Sequence, residues 1–181
     1  MGKPRIVYIH GDGHLHWSFG WAPALKQALE QASFPTFFEL FPDSIEARAR
    51  YWLPFIEDHV RAGAGDVLLG WSSGSVAAMR YAETNKLRGL ALVAPYYTDL
   101  GSEKERRSGY FDRPWDFSAI KANAGEIALF HGDEDPYISQ REFSEVGAKL
   151  DARVHRIAGA GHFNEQDTFP QLAAYLIQQY G

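Results

Sequence analysis

The chain contains no cysteine. That excludes disulfide staples, thiolate metal centres and a cysteine nucleophile together. Long apolar runs are missing as well. The first, Ile6 to Ile9, stops at His10-Gly11 and is too short for the apolar segment of a secretory signal. No later run is long enough to cross a bilayer. Ile6 stands where a myristoylation signal needs Ser or Thr. Basic residues do not gather on any segment, and the net charge is −5. The one modest run, Lys104-Glu105-Arg106-Arg107, is interrupted by acid and reads as a solvated loop. A nucleic-acid partner, which needs a basic face, is therefore not expected. No membrane association is expected either, and a cytoplasmic protein is the default.

What is present is a chain of 181 residues, 45% of them hydrophobic, with no repeat, low-complexity tract or linker. That is enough for one domain with its own core, spanning residues 1–181. Short β-rich runs alternate with helical patterns. Strands are expected at Arg5–His10, Phe37–Phe41, Asp66–Gly70, Gly89–Val93, Glu126–His131 and Arg153–Ile157. Helices are expected at Trp21–Ala32, Ile45–Ala62 (capped by Ser44 and kinked or broken at Pro54), Ser75–Asn85, Ser118–Asn123, Gln140–Leu150 and Pro170–Tyr180. Pro95 to about Phe117 reads as a long irregular stretch. Strict alternation implies parallel βαβ units: a three-layer α/β/α sandwich around a six-stranded parallel sheet, of order 2-1-3-4-5-6. Ligand chemistry then belongs in loops at the carboxyl ends of the strands.

The candidate nucleophile lies at the third of those ends. Gly70-Trp71-Ser72-Ser73-Gly74 matches G-x-S-x-G, preceded by the strand Asp66-Val67-Leu68-Leu69 and followed by a helical pattern from Ser75. A serine on a tight strand-to-helix turn holds its hydroxyl clear of the sheet. Side chains two residues to either side would collide, which calls for Gly70 and Gly74. The following helix aims free N–H groups and its positive end at the reacting carbonyl. Ser73 and Ser75 also carry hydroxyls, but only Ser72 has glycine at both offsets. A plain tight βα turn is the structural alternative.

An activated serine needs a base, and the base needs an orienting acid, in the chain order serine, acid, histidine for this architecture. The strand Ile127–Phe130 runs into His131-Gly132-Asp133-Glu134-Asp135-Pro136, where three carboxylates compete for the acid role. Asp135 is favoured, because Pro136 fixes the backbone after it and its distance from the strand end lets it turn back. Asp133 and Glu134 remain alternatives, and turn-forming or capping roles are the structural reading. The last strand ends in Ala158-Gly159-Ala160-Gly161-His162-Phe163, whose glycines let His162 approach the serine turn. His155, on a strand, and His59, on a helix, read as structural.

His10-Gly11-Asp12-Gly13-His14-Leu15-His16 follows the first strand. Its backbone is placed to supply an oxyanion donor beside the N–H of Ser73, with Asp12 the first choice and Gly11 the second. The same His10, Asp12, His14 and His16 raise a metal-dependent alternative, although their spacing matches no established hydrolytic motif. Neither G-x-G-x-x-G nor a P-loop occurs, so no nucleotide cofactor is expected. Tyr96, Tyr97, Tyr110, Phe111, Trp115 and Phe117, with Trp17 and Trp71, either wall an apolar pocket or pack the long stretch onto the body. Trp71, Tyr96 and Trp115 are the candidates for substrate contact. The site is expected to be open and shallow, with no large cap domain above it.

With these residues in hand, the chain resembles the retinoblastoma-binding protein nine family of small serine hydrolases over nearly its whole length. The most specific segments are Gly70–Gly74 with Ala77–Glu83, Ser108-Gly109-Tyr110-Phe111-Asp112-Arg113-Pro114-Trp115, Ile120–Asn123, Asp135-Pro136 and Gly161-His162-Phe163. The resemblance implies an α/β-hydrolase fold, a triad falling on Ser72, Asp135 and His162, and hydrolysis of small esters or amides without a cofactor. It favours Asp135 over Asp133 independently. It does not carry over a retinoblastoma-type partner, because the Leu-x-Cys-x-Glu motif needs a cysteine, and Asp58–Gly63 offers nothing similar. A catalytically silent binding protein on the same fold is the other reading.

Overall fold

A computed structural model describes residues 2–181. Six parallel strands form one sheet: β1 (Arg5–Ile9), β2 (Thr36–Phe38), β3 (Asp66–Trp71), β4 (Leu87–Val93), β5 (Ala124–Gly132) and β6 (Arg153–Ile157), in the order β2-β1-β3-β4-β5-β6. The central strands are continuous apolar runs because both faces are covered. Every residue of β3 is buried, and Val67, Leu68 and Leu69 pair in register with Ile6, Val7 and Tyr8 on one side and with Gly89, Leu90 and Ala91 on the other. Each such aliphatic side chain contributes roughly 1.5–3 kcal/mol by leaving water. The edge strand β6, by contrast, is exposed at Arg153, Val154 and Arg156.

The helices fall in two layers. α1 (Ala22–Gln31) packs against α7 (Pro170–Tyr180), each opening with proline in its first turn, where no N–H is needed. α2 (Ala49–Pro54), α3 (Ser73–Ala82), α5 (Phe117–Asn123) and α6 (Gln140–Leu150) form the second row. This is the strand order expected from the alternating pattern. The strand ends bring the turns after β1, β3, β5 and β6 to one edge.

Three segments depart from expectation. The helix expected from Ile45 begins only at Ala49, because Asp43 draws the chain into a turn: its carboxylate accepts the backbone N–H of Arg48 (3.0 Å) and holds that guanidinium by two further bonds. Pro54 does interrupt it, and the chain continues as a wide π-helical turn over Phe55–Val60. The second strand is only three residues long and starts one residue early, at Thr36.

The stretch from Pro95 is not irregular throughout, nor is its basic run a solvated loop. It holds α4 (Glu103–Ser108), with acids in the first turn, Arg106 and Arg107 in the last, and Gly109 at φ 83° closing it. Ser102 caps it by accepting the N–H of Glu105. Downstream, the buried Arg80 of α3 donates to the carbonyls of Tyr110 (2.8 Å), Arg113 (2.8 Å) and Pro114 (3.2 Å) and pairs with Glu83 (2.7 Å). Its guanidinium lies 3.5 Å from the centre of the Trp115 ring. At the near end, Glu142 of α6 accepts the N–H groups of Tyr97 and Thr98, both at 2.8 Å. A loop short of regular structure is thus held by charged side chains bonding its backbone.

Candidate active site

Ser72 sits between β3 and α3 with φ 55° and ψ −119°, a strained conformation for a residue with a side chain. The two flanking glycines are required for different reasons. A Cβ at Gly70 would stand 2.4 Å from the Gly74 carbonyl, inside the elbow itself. A Cβ at Gly74 would stand 2.0 Å from the Ile9 carbonyl, so the start of α3 could not approach β1. Ser75 is buried and donates to the carbonyls of Gly70 (2.7 Å) and Val93 (3.0 Å), which ties the elbow to two strands.

Three expected residues come together here. His162 Nε2 lies 3.0 Å from Ser72 Oγ, and His162 Nδ1 lies 2.7 Å from Asp135 Oδ2. The other oxygen of Asp135 accepts the N–H groups of Tyr137 (2.9 Å) and Ile138 (3.0 Å). The Asp135 side chain has no solvent exposure. Burial alone would push its carboxyl up. The bonds from His162 and from the two backbone amides outweigh burial and hold it below the ordinary carboxylate range. An acceptor with those partners places a proton on Nδ1 and leaves Nε2 free to accept from the Ser72 hydroxyl.

The competing carboxylates have other partners. Asp133 accepts the N–H of Gly159 (2.7 Å) and a bond from Arg156 (3.0 Å), closing the turn after β6. The Glu134 backbone N–H bonds the Ala160 carbonyl at 2.9 Å, and its side chain is exposed. Gly132 lets the two loops meet, since a Cβ there would be 2.1 Å from the Ala160 carbonyl.

Ser72 opens into a cavity of about 600 Å³ whose lining includes Gly11, Asp12, Trp71, Tyr96, Glu105 and Tyr137. That is the size of a small-molecule site. α4 and the loop before it supply Leu100, Ser102 and Glu105 as one wall. As the first residue of α3, Ser73 has no intrahelical partner for its N–H. Gly11 and Asp12 face Ser72 from the end of β1; a Cβ on Gly11 would touch the Ser72 Cβ at 3.6 Å. Of the three aromatic candidates, Trp71 and Tyr96 line the cavity. Trp115 does not: its ring lies under Arg80 and its Nε1 donates to the Tyr97 carbonyl (2.8 Å), so its role is to hold the loop. Trp17 packs edge-on against Phe38, outside the lining.

The proposed metal cluster does not assemble. Among the described residues, no group of three His, Asp or Glu side chains is placed to hold an ion. His10 is buried, with Nδ1 on the Gly11 carbonyl (2.6 Å) and Nε2 accepting the N–H of Phe41 (3.0 Å), so neither nitrogen is free. His14 lies against the rings of Phe19 and Trp71, while His16 bonds Ser18. Burial lowers both His10 and His14 from the usual histidine range. His155 stacks on Phe130 at 4.4 Å, and His59 pairs at the surface with Glu39 at 3.2 Å.

Sheet order, elbow and cavity define a serine hydrolase of the α/β-hydrolase fold. Residues 8–178 match the model of the serine hydrolase family, and the chain belongs to that family. It is 41% identical over 168 residues to serine hydrolase RBBP9 of Rattus norvegicus, covering 91% of this chain and 89% of that protein; it is RBBP9-like. Among solved structures, the ydeN gene product of B. subtilis superposes with a TM-score of 0.88 at 20% identity, covering 98% of both chains. Esterase PE8 superposes with a TM-score of 0.62 at 18% identity, covering 99% of this chain and 94% of that one. Both share the fold.

Proposed function

We propose that the chain hydrolyses small esters or amides through an acyl-enzyme on Ser72, with His162 as general base and Asp135 as its orienting acid. The observation that carries this reading is the unbroken line Asp135–His162–Ser72, at 2.7 and 3.0 Å, ending in a strained elbow that opens on a cavity. His162 Nε2 takes the hydroxyl proton as Ser72 Oγ attacks the carbonyl carbon, and the new imidazolium is stabilised by buried Asp135. The carbonyl electrons move onto oxygen, which accepts the N–H groups of Ser73 and of Asp12, or of Gly11 beside it. Each such donor is worth roughly 3 kcal/mol in related sites. His162 returns the proton to the departing alcohol or amine. Water, deprotonated in turn by His162, then releases the acid and regenerates Ser72.

The lining contains the carboxylates of Asp12 and Glu105 but no Lys or Arg, so an acidic substrate would find no counter-charge there. Uncharged substrates fit best, with an apolar group against Trp71, Phe19, Leu100 or Tyr137. The test is intact-mass analysis after exposure to a fluorophosphonate, with wild type and Ser72→Ala side by side. One adduct on wild type and none on the variant is the expected result. A folded wild-type protein that takes up no adduct overturns the reading in favour of a silent binding protein.

A further inference from the structure

Opposite the Asp135–His162 side, the cavity wall is a single chain of side-chain contacts that the hydrolytic steps above leave unused. Lys104 on α4 bonds one carboxylate oxygen of Asp12. The other oxygen accepts from the Ser73 hydroxyl at 2.7 Å. Ser73 Oγ meets the Tyr96 hydroxyl at 3.1 Å, and that hydroxyl meets Glu105 Oε2 at 3.0 Å. The chain therefore starts and ends on consecutive residues of α4. Between them it passes through the residues on both sides of the oxyanion position.

Counting protons gives the chain a direction. Asp12 beside Lys104 is an acceptor only, so the single proton of Ser73 points to Asp12. Ser73 must then accept from Tyr96, which spends the only proton of Tyr96. With that proton on Ser73, the contact between Tyr96 and Glu105 is satisfied only when Glu105 donates; if Tyr96 donates to Glu105 instead, the contact between Ser73 and Tyr96 is the one left without a proton. An ionised Glu105 leaves three contacts to share two protons, and one of them becomes two oxygens facing each other with no hydrogen between.

We propose that Lys104 and Glu105 are positioning residues of the oxyanion hole, fixing Asp12 and Ser73 through a one-way hydrogen-bond chain that closes when Glu105 carries a proton. This rests on the acyl-enzyme reading above. Burial raises the Glu105 carboxyl above the ordinary range, helped by the charges of Asp12 and Asp99 and opposed by Tyr96 and Lys104. Burial also works against ionised Asp12, but the bonds from Lys104 and Ser73 outweigh it and lower its carboxyl. The two carboxyls are thus driven apart, one toward acceptor and the other toward donor. Of the other titratable groups nearby, Tyr96 and Tyr110 are both pushed by burial well above the usual tyrosine range and stay protonated, and burial lowers His10 and His14, which feel the Asp12 charge.

The test compares wild type, Lys104→Met, Lys104→Arg, Glu105→Gln and Glu105→Ala on p-nitrophenyl acetate, with active sites counted by fluorophosphonate labelling. Lys104→Met should lower kcat about 10-fold with KM nearly unchanged, as expected for a displaced oxyanion donor. Lys104→Arg should restore most of that loss. The Glu105→Gln amide donates at every pH. The ratio of its kcat to that of wild type should therefore rise several-fold as pH increases above 4.5, the His162 dependence cancelling in the ratio. Glu105→Ala should be impaired throughout. A pH-independent ratio, or a Lys104→Met variant that melts earlier but turns over normally per labelled site, overturns the proposal. Absence of a Ser72 adduct on wild type removes the acyl-enzyme reading and this proposal together, whereas an adduct with a flat ratio removes the proposal alone.

Discussion

Asp135 and His162, at the ends of β5 and β6, are held chiefly by bonds that end on main chain: two amides grip the Asp135 carboxylate, the Glu134 N–H bonds Ala160, Asp133 accepts the Gly159 N–H, the Trp71 indole donates to the His162 carbonyl, and Gly132 admits the second loop. Across the cavity, Asp12 and Ser73 are held by side chains reaching from α4 and from Tyr96. Main-chain bonds between closely packed loops leave little freedom, which would suit the two proton transfers that the proposed acyl-enzyme route asks of these groups. Side-chain bonds can be made and broken by a single protonation, and they vary readily by substitution. One wall is built for constancy and the other for adjustment.

Four experiments sharpen or break this contrast. The largest effect belongs to Asp135→Asn, which fits the same space but no longer fixes the histidine tautomer. The kcat should fall about 10⁴-fold with little change in stability, read from steady-state kinetics and a thermal melt. Arg80→Met comes next. It takes three bonds from the loop that follows α4 and leaves the buried Glu83 facing a single exposed arginine, so stability should drop about 3 kcal/mol in urea. If activity per folded molecule fell as far as it does in Asp135→Asn, the separation of the two walls would be wrong.

Gly132→Ala should cost about 100-fold in kcat, because the added methyl forces the histidine loop away from the acid loop. An unchanged kcat would show that this wall yields after all. The smallest effect is on acid stability. The Asp135 carboxyl ionises at lower pH in the folded chain than its ordinary value of 3.8. It therefore stabilises the native state above about pH 4, and that contribution disappears as the solution is acidified through the folded value. Asp135→Asn should flatten the acid limb of a stability-against-pH curve.

The constant wall was the more legible of the two in sequence. The elbow glycines, the strand run and the serine–acid–histidine order are local patterns with a steric or chemical cause, and the residues they mark come together in the structure. Choosing among Asp133, Glu134 and Asp135 needed more than composition, because the deciding facts are a turn closed by Asp133 and a pair of amides pointing at Asp135. The adjustable wall carries one readable sign. Ser102-Glu103-Lys104-Glu105 has the spacing of a helix capping box and is followed by Gly109, which together mark α4. The contact between Lys104 and Asp12 spans 92 residues and has no local signature. Trp115 was misplaced for a related reason: an aromatic in a loop near a pocket is equally at home beneath an arginine.

The backbone of Ser72 has a consequence for the stability of such a molecule. A side chain held at φ 55° and ψ −119° costs on the order of 1–3 kcal/mol, and glycine would remove most of that burden. Ser72→Gly should therefore yield a protein that melts higher and cannot form an acyl adduct. Keeping the serine there therefore gives up stability for a hydroxyl, an exchange that makes sense only if the proposed acyl-enzyme route uses it.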